Sequence, residues 1–382
     1  MMLNILEWLL WAVMLLSVGY LFFFALASLF YREPETKEDS THRKVMTLIP
    51  AYRADATILE TARSASSQDY PEGMSRVIVI SDGMKSETVE ALRRIPVEVM
   101  EVHFDRSTKA KSLAEAMGSL RKDEADIVAV LDADNIVSPT FLRSINAAFG
   151  SGWRAVQLHR TAANTDSSTA MLDAVSEEVN NSIFRKGHAA IGLSSALIGS
   201  GMAFDFGWFK DAAPKLSTVG EDKEIELMLL RDGIRVSYID SETVLDEKTR
   251  TESNYASQRR RWMATQITGL SAAFQGKAAD MAGFADKVFQ WCLLPRMVMT
   301  GLLALLTVLF SIIRFHTCGK WWLLVAMFAA TMVVATPRRM WSRDLLKAGL
   351  KAPRLILIAA TNIFRLKGAS DTFIHTTHDG RS

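Results

Sequence analysis

Apolar positions are unevenly distributed along this chain. Leu9 to Phe30 contains no charged residue. A helix rises ~1.5 Å per residue, so about 20 such positions cross a hydrocarbon layer of ~30 Å. A cleaved leader needs a basic start and small residues at its cut. Met1 to Trp8 carries only Glu7, and the run ends in Leu29-Phe30-Tyr31-Arg32, so residues 1–31 are expected to form a retained transmembrane anchor. Two further runs, Met297–Ile313 and Trp321–Pro337, are framed by Arg296 and Arg314 and by Lys320 and Arg338. A buried hairpin in a soluble core would read the same way. The Trp321–Trp322 pair beside Lys320 and the basic cluster after Pro337 favour a transmembrane hairpin over 297–337.

Basic residues set the orientation. Arg32, Lys37, Arg43 and Lys44 follow the first run, and Arg338, Arg339, Arg343 and Lys347 follow the third, while the connector offers only Arg314 and Lys320. The middle of the chain and the 338–382 tail are therefore expected in the cytoplasm. Two mixed stretches, Phe284–Leu294 and Pro353–Phe364, read as interfacial helices lying under lipid headgroups, with packing on the soluble domain as the alternative.

Between these ends the period changes. Short apolar runs at Val45–Ile49, Val77–Ser81, Val97–His103, Ile127–Leu131, Ala155–Leu158 and Arg235–Ile239 predict strands. Helical patterns lie between them, at Ala56–Ser67, Ser86–Arg94, Lys109–Arg121, Pro139–Phe149, Ala170–Lys186 and Asp222–Asp232. This alternation predicts an α/β domain over 44–270 with a mostly parallel, Rossmann-like sheet.

Composition narrows the function. The chain has 382 residues, with 44 Lys+Arg against 42 Asp+Glu and a net charge of +2, so nothing draws it globally toward nucleic acid. Cys292 and Cys318 are too few for a disulfide framework and suit no zinc site. No Gly-x-x-x-x-Gly-Lys run is present, which disfavours a Walker-type ATPase.

Open α/β sheets bind ligands beyond the carboxyl ends of their strands. Pro50-Ala51-Tyr52 follows the first predicted strand, Asp82-Gly83 the second, and Asp132-Ala133-Asp134 the fourth. Asp132 and Asp134 have no Lys or Arg beside them in sequence. Two such carboxylates suit a hard cation, Mg2+ or Mn2+, which completes its shell with water and phosphate oxygens. Asp222 either caps its helix or stands at the crevice as a general base. On one helix, Gln258 and Arg261 share a face. Arg261 suits a phosphate and Trp262 a sugar face, while Arg259 or Arg260 is left for anionic lipid.

Taken in order, these motifs resemble those of the membrane-bound family 2 glycosyltransferases, the group containing cellulose, chitin and hyaluronan synthases. Pro50-Ala51-Tyr52 resembles the first nucleotide loop of that family and Asp82 its base-contacting aspartate. Lys109 is similar to the basic residue opening the donor-side helix, and Asp132-Ala133-Asp134 to the metal-binding Asp-x-Asp. Gly199-Ser200-Gly201 resembles the acceptor-side loop, Glu221-Asp222 the catalytic Thr-Glu-Asp, and Gln258 to Trp262 the Gln-x-x-Arg-Trp motif. Gly220 stands where the family usually has Thr, and Ser81 where a second Asp is common.

The resemblance implies a GT-A fold and inverting transfer of a hexose or N-acetylhexosamine from a nucleotide-diphosphate sugar, with UDP-sugar the first choice. Pro50, Ala51, Tyr52, Asp82, Lys109, Asp132 and Arg261 would bind the donor, Asp132 and Asp134 the metal, and Asp222 would be the base. Gly199, Ser200, Gly201, Glu221, Gln258 and Trp262 would face the acceptor. That acceptor would be a growing cell-surface polysaccharide or, as the alternative, a lipid taking one sugar; an inactive binding protein is the third reading. Three spans are few to enclose a polymer channel, so a processive enzyme of this layout calls for a homo-oligomer or a partner subunit. The compact layout fits a bacterial inner membrane, with membrane lipids as further partners.

Overall fold

A computed structural model of the protein describes residues 1–35, 41–273 and 279–363. Eight strands form one sheet: β1 (Val45–Tyr52), β2 (Ser75–Asp82), β3 (Glu98–Val102), β4 (Ile127–Val130), β5 (Ile136–Val137), β6 (Ala155–Ala162), β7 (Met202–Asp205) and β8 (Ser237–Asp246). Their order is β3-β2-β1-β4-β7-β6-β8-β5. All six expected strands form. The two that sequence reading missed, β5 and β7, are the antiparallel ones. Because β7 runs antiparallel to both β4 and β6, those two are parallel to each other, and β8 is parallel to β6. Six strands therefore end at one edge, and β7 begins there.

Alternation along the strands builds a core on each face. Met46, Leu48, Ile78 and Ile80 pack against Leu113 of the Lys109–Ser119 helix and Ile225 of the Glu221–Arg231 helix. Val45, Ile49, Val77 and Val79 pack with Ile58 and Ile145 on the other face. Pro50 is tolerated in β1 because β4 stops pairing at Leu48, so no ladder donor is required there.

The expected Ala170–Lys186 helix is observed as an α-helix over Ser168–Asn180 that widens into a π-turn over Asn181–Gly187. This wide turn keeps both Asn181 and Arg185 inside, where the guanidinium donates to the Asn181 amide oxygen at 2.7 Å. Gly187 permits a close crossing: a Cβ there would lie 2.2 Å from the Phe24 carbonyl oxygen.

Phe24 belongs to the N-terminal helix, Met2–Ser28. That helix and Arg296–Ile313 are long and apolar enough to cross a membrane; Gly319–Ala335, at 17 residues, is shorter. The three share a core that includes Val18, Leu21, Leu303 and Leu324. Glu7 is buried at the start of the first helix and pairs with Lys320 at 2.8 Å, at the turn between the other two.

The 284–294 stretch forms a helix over Met281–Cys292. Its charge does not face outward as an interfacial helix would need. Lys287 is buried and reaches Glu226 at 3.3 Å, because burial of the long stem against the domain is offset by that carboxylate. The 353–364 stretch forms Ala352–Ile363, while Phe364 and the rest of the tail lie outside the described residues.

Candidate active site

The shared strand edge opens into a cavity of about 710 Å³. At its donor side, Pro50, Ala51, Tyr52 and Asp82 line the wall. Arg53 follows β1 with φ 48, a left-handed conformation that costs a non-glycine residue about 1–2 kcal/mol. Its guanidinium lies 5.2 Å from the centre of the Tyr52 ring. Asp82 is buried, and its Oδ2 has no hydrogen-bond partner in the protein.

Asp132 and Asp134 stand directly beyond β4. Asp132 is neutralised, contrary to its sequence surroundings, by cations brought from elsewhere. Lys109 caps it from the first residue of its helix, and Arg160, on β6, lies 3.7 Å away. Burial pushes the Asp132 carboxyl up, but Lys109 and Arg160 outweigh burial and hold it below the usual range. The Lys109 ammonium also donates to the Gly199 carbonyl at 2.6 Å and lies 3.5 Å from Glu221. Burial pushes Glu221 up to about 7, with Lys109 opposing and Asp222 adding to the shift.

Behind this row lies a buried ionic network that sequence reading missed. Arg160 binds Glu177 at 2.7 Å and lies 3.6 Å from Asp246, which pairs with Lys248 at 2.7 Å. Burial raises the Asp246 carboxyl and lowers the Lys248 ammonium. Asn135 ties the network forward, donating to Asp246 at 3.1 Å and to Asp134 at 3.3 Å. One signal was available for Arg160, which stands two residues past the expected strand end at Leu158, on the edge where the other site residues were sought; Asp246 lies seven residues past Ile239, where β8 was expected to stop.

Asp222 lies in the first turn of its helix, where its Oδ1 accepts from the Lys223 N–H at 2.9 Å. The Lys223 ammonium is 3.6 Å from Oδ2. Gly220 precedes it for a steric reason: a Cβ at this position would lie 2.8 Å from Cβ of Thr265. Thr265 thus fills, from the Glu252–Ala273 helix, the space a Thr at 220 would take.

Gln258, Arg259, Arg261 and Trp262 all line the cavity. Arg259 therefore does not face lipid headgroups: it pairs with Asp173, and its guanidinium lies 4.5 Å from the Trp262 ring centre. The Gly199-Ser200-Gly201 expectation needs a similar correction. Only Gly199 lines the cavity. Ser200 is fully buried and accepts from Arg160 at 3.3 Å, so it supports the carboxylate row instead of facing an acceptor. Gly201 has φ +61, and a Cβ there would lie 2.9 Å from Val244.

Among the described residues no three His, Cys, Asp or Glu converge closely enough to form an all-protein metal cage. The pair Asp132 and Asp134 at an open cavity nonetheless fits Mg2+ or Mn2+, whose shells take one or two carboxylates and complete themselves with water and phosphate.

The fold has solved relatives. Mannosyltransferase PcManGT from Pyrobaculum calidifontis, in complex with GDP-Man and Mn2+, aligns with 94% of this chain and 98% of its own at a TM-score of 0.64 and 15% identity. S. aureus TarS 1–349 aligns with 85% of this chain and 90% of its own, at a TM-score of 0.45 and 14% identity. Glucosyl-3-phosphoglycerate synthase from Mycobacterium tuberculosis, in complex with Mn2+, UDP and glucosyl-3-phosphoglycerate, covers 59% of this chain and 80% of its own, at 0.42 and 18%. No curated protein matches the sequence. Residues 42–265, more than half of the chain, match the family described as glycosyltransferase like family 2, and the chain belongs to that family.

Proposed function

We propose that the protein is an inverting glycosyltransferase that moves a hexose or N-acetylhexosamine from a nucleotide-diphosphate sugar to an acceptor hydroxyl at a membrane. One observation carries this reading: the Asp132–Asp134 pair and Asp222 share one cavity with the unpartnered Asp82 oxygen. Asp82, with Tyr52, would hold the base, and Arg261 and Lys109 would meet the diphosphate charge. Asp134 and Asp132 would hold a divalent cation, which when bound would supply neutralisation of the leaving diphosphate.

Asp222 takes the proton from the acceptor hydroxyl. The acceptor oxygen, freed of that proton, forms the new bond to the anomeric carbon as the bond to the diphosphate breaks on the opposite face, which inverts the anomeric centre. The two long apolar helices and the shorter third support anchoring in a membrane; the basic residues after the first and third would put the α/β domain on the cytoplasmic side, with a bacterial inner membrane as the proposed setting.

The test is transfer by purified protein in lipid, using a panel of UDP- and GDP-sugars with Mn2+, Mg2+ or EDTA. Cation-dependent nucleotide release with an inverted product linkage is expected. A product of retained configuration would exclude the Asp222 mechanism.

A further inference from the structure

Asp222 shares its helix with a row of charge that the reaction as described does not use. The Lys223 ammonium, 3.6 Å from Asp222 Oδ2, is held from the other side by Glu226 at 3.1 Å. Glu226 is buried and engages both its oxygens. Oε2 accepts from Lys223, while Oε1 accepts from the Leu197 N–H at 2.7 Å and from Lys287 at 3.3 Å. Charge therefore alternates along Asp222, Lys223, Glu226 and Lys287, from the cavity wall into the packed interior. Lys287 lies on the Met281–Cys292 helix, which leads within four residues into Arg296–Ile313, one of the two helices long enough to cross a membrane. Leu197 precedes Gly199 and lines the cavity with it. Glu226 thus joins the helix of the base to a membrane-leading helix and to the cavity wall.

An ammonium resting on a carboxylate opposes its taking a proton, because the attraction is lost when the carboxylate becomes neutral. With no ammonium, nothing on that side keeps the carboxylate ionised and oriented. Lys223 stands between these limits, closer to Glu226 than to Asp222. Burial pushes the Lys223 ammonium down, but Asp222 and Glu226 outweigh burial and keep it charged. Burial pushes the Glu226 carboxyl up, but Lys223 and Lys287 outweigh it and hold it below the usual range. The other charges around Asp222 are Glu221 on the same helix, Arg185 on the π-turn and Arg261 on the same cavity wall.

We propose that Lys223 is a positioning residue that sets the strength of Asp222 as a base, and that Glu226, anchored by Lys287, holds Lys223 short of neutralising it. This inference rests on the proposed transfer reaction and assigns the residues that tune its base.

The full chain, in nanodiscs of phosphatidylcholine, is followed by cation-dependent nucleotide release from the sugar donor that the wild type uses, from about pH 5 to about pH 8. Lys223→Met is expected to move the acidic limb of kcat/KM up by about one pH unit, the low end of the effect of an opposite charge in contact, with Lys223→Arg staying near the wild type. Glu226→Gln combined with Lys287→Met keeps the net charge and frees Lys223 to close on Asp222. In that variant the limb is expected to move down and the plateau rate to fall. Loss of packing alone gives no such opposed movements. An acidic limb left in place by Lys223→Met would overturn the inference, as would an upward movement in the paired variant. A raised donor KM with the limb unmoved would assign Lys223 to the donor diphosphate and overturn it too. The paired change falls on two buried side chains; Lys223 is 22% exposed, so Lys223→Met carries the test where the paired variant fails to fold.

A second measurement needs no turnover. The losses of Tm in Lys223→Met and Asp222→Asn are expected to be non-additive in the double variant, since each removes the same ion pair. Additive losses would show that no such pair forms and would overturn the inference. Coupled losses in a protein that releases no nucleotide from any donor would sink the transfer reaction and leave the Lys223–Asp222 pair standing.

Discussion

Lys109 lies on Asp132, and its ammonium also donates to the carbonyl of Gly199 at 2.6 Å. One cation thereby joins the helix after β3, the carboxylate beyond β4 and the loop entering β7. Replacing it with Met keeps the stem and removes the charge. Lys109→Met is expected to lower turnover by roughly 10²–10³, the scale of losing one preorganised electrostatic contact to a developing anion. Steady-state rates with saturating donor check this; a loss below tenfold would place Lys109 in a purely structural role.

Asp222→Asn preserves shape and removes the base. Turnover is expected to fall by roughly 10²–10⁴, with donor affinity nearly unchanged. Calorimetric titration with the nucleotide diphosphate separates the two effects. A parallel loss of donor affinity would place Asp222 among the donor contacts.

Glu221 gives a pH signature. Burial raises its folded value from 4.5 to about 7. Between those values the native protein holds a proton that the unfolded chain has released, so this group's contribution to stability falls as pH rises through the window. Glu221→Gln cannot ionise. The Tm of the variant minus that of the wild type is expected to grow from about pH 5 to about pH 8, as followed by thermal denaturation. A constant difference would mean that Glu221 titrates normally.

Arg160 is buried among Glu177, Asp132 and Asp246. Arg160→Met would leave these carboxylates without their shared counter-charge, at a cost on the order of 3–5 kcal/mol. Denaturant unfolding should show it. Arg160→Lys should recover only part, since an ammonium cannot reproduce the guanidinium fork.

Gly220→Thr introduces a Cβ into the space of Thr265. The expected loss is about 1–3 kcal/mol, recovered largely by adding Thr265→Ala. Full stability of the single variant would show that the helix shifts freely to make room.

Strands with apolar or alternating runs rich in β-branched residues were legible from the chain because alternation and β-branching report burial directly. β5 has two residues, and β7 has only three apolar ones, Met202-Ala203-Phe204, before Asp205, with no β-branched residue among them; the Phe206–Ala212 helix after β7 went unseen with them. β8 was expected to stop at Ile239. It continues to Asp246 because β6 pairs along it, past an irregularity at Leu158/His159, and that extension carries Asp246 to the site.

The sequence by itself determined the α/β core, the apolar segments at both ends, and the motif order that places Asp132, Asp134 and Asp222 in one family. Each of those signals is local: a period, a run or a short spacing. The tertiary structure alone decided that Lys109 and Arg160 neutralise Asp132, that Ser200 stands behind the wall, that Arg259 turns inward, and that Arg296 meets Arg259 at Ser176. Arg296 and Ser176 are 120 residues apart in the chain. Charges so far apart are matched only when strand direction and helix packing bring them together, because Coulomb attraction depends on distance in space and leaves no mark in local spacing.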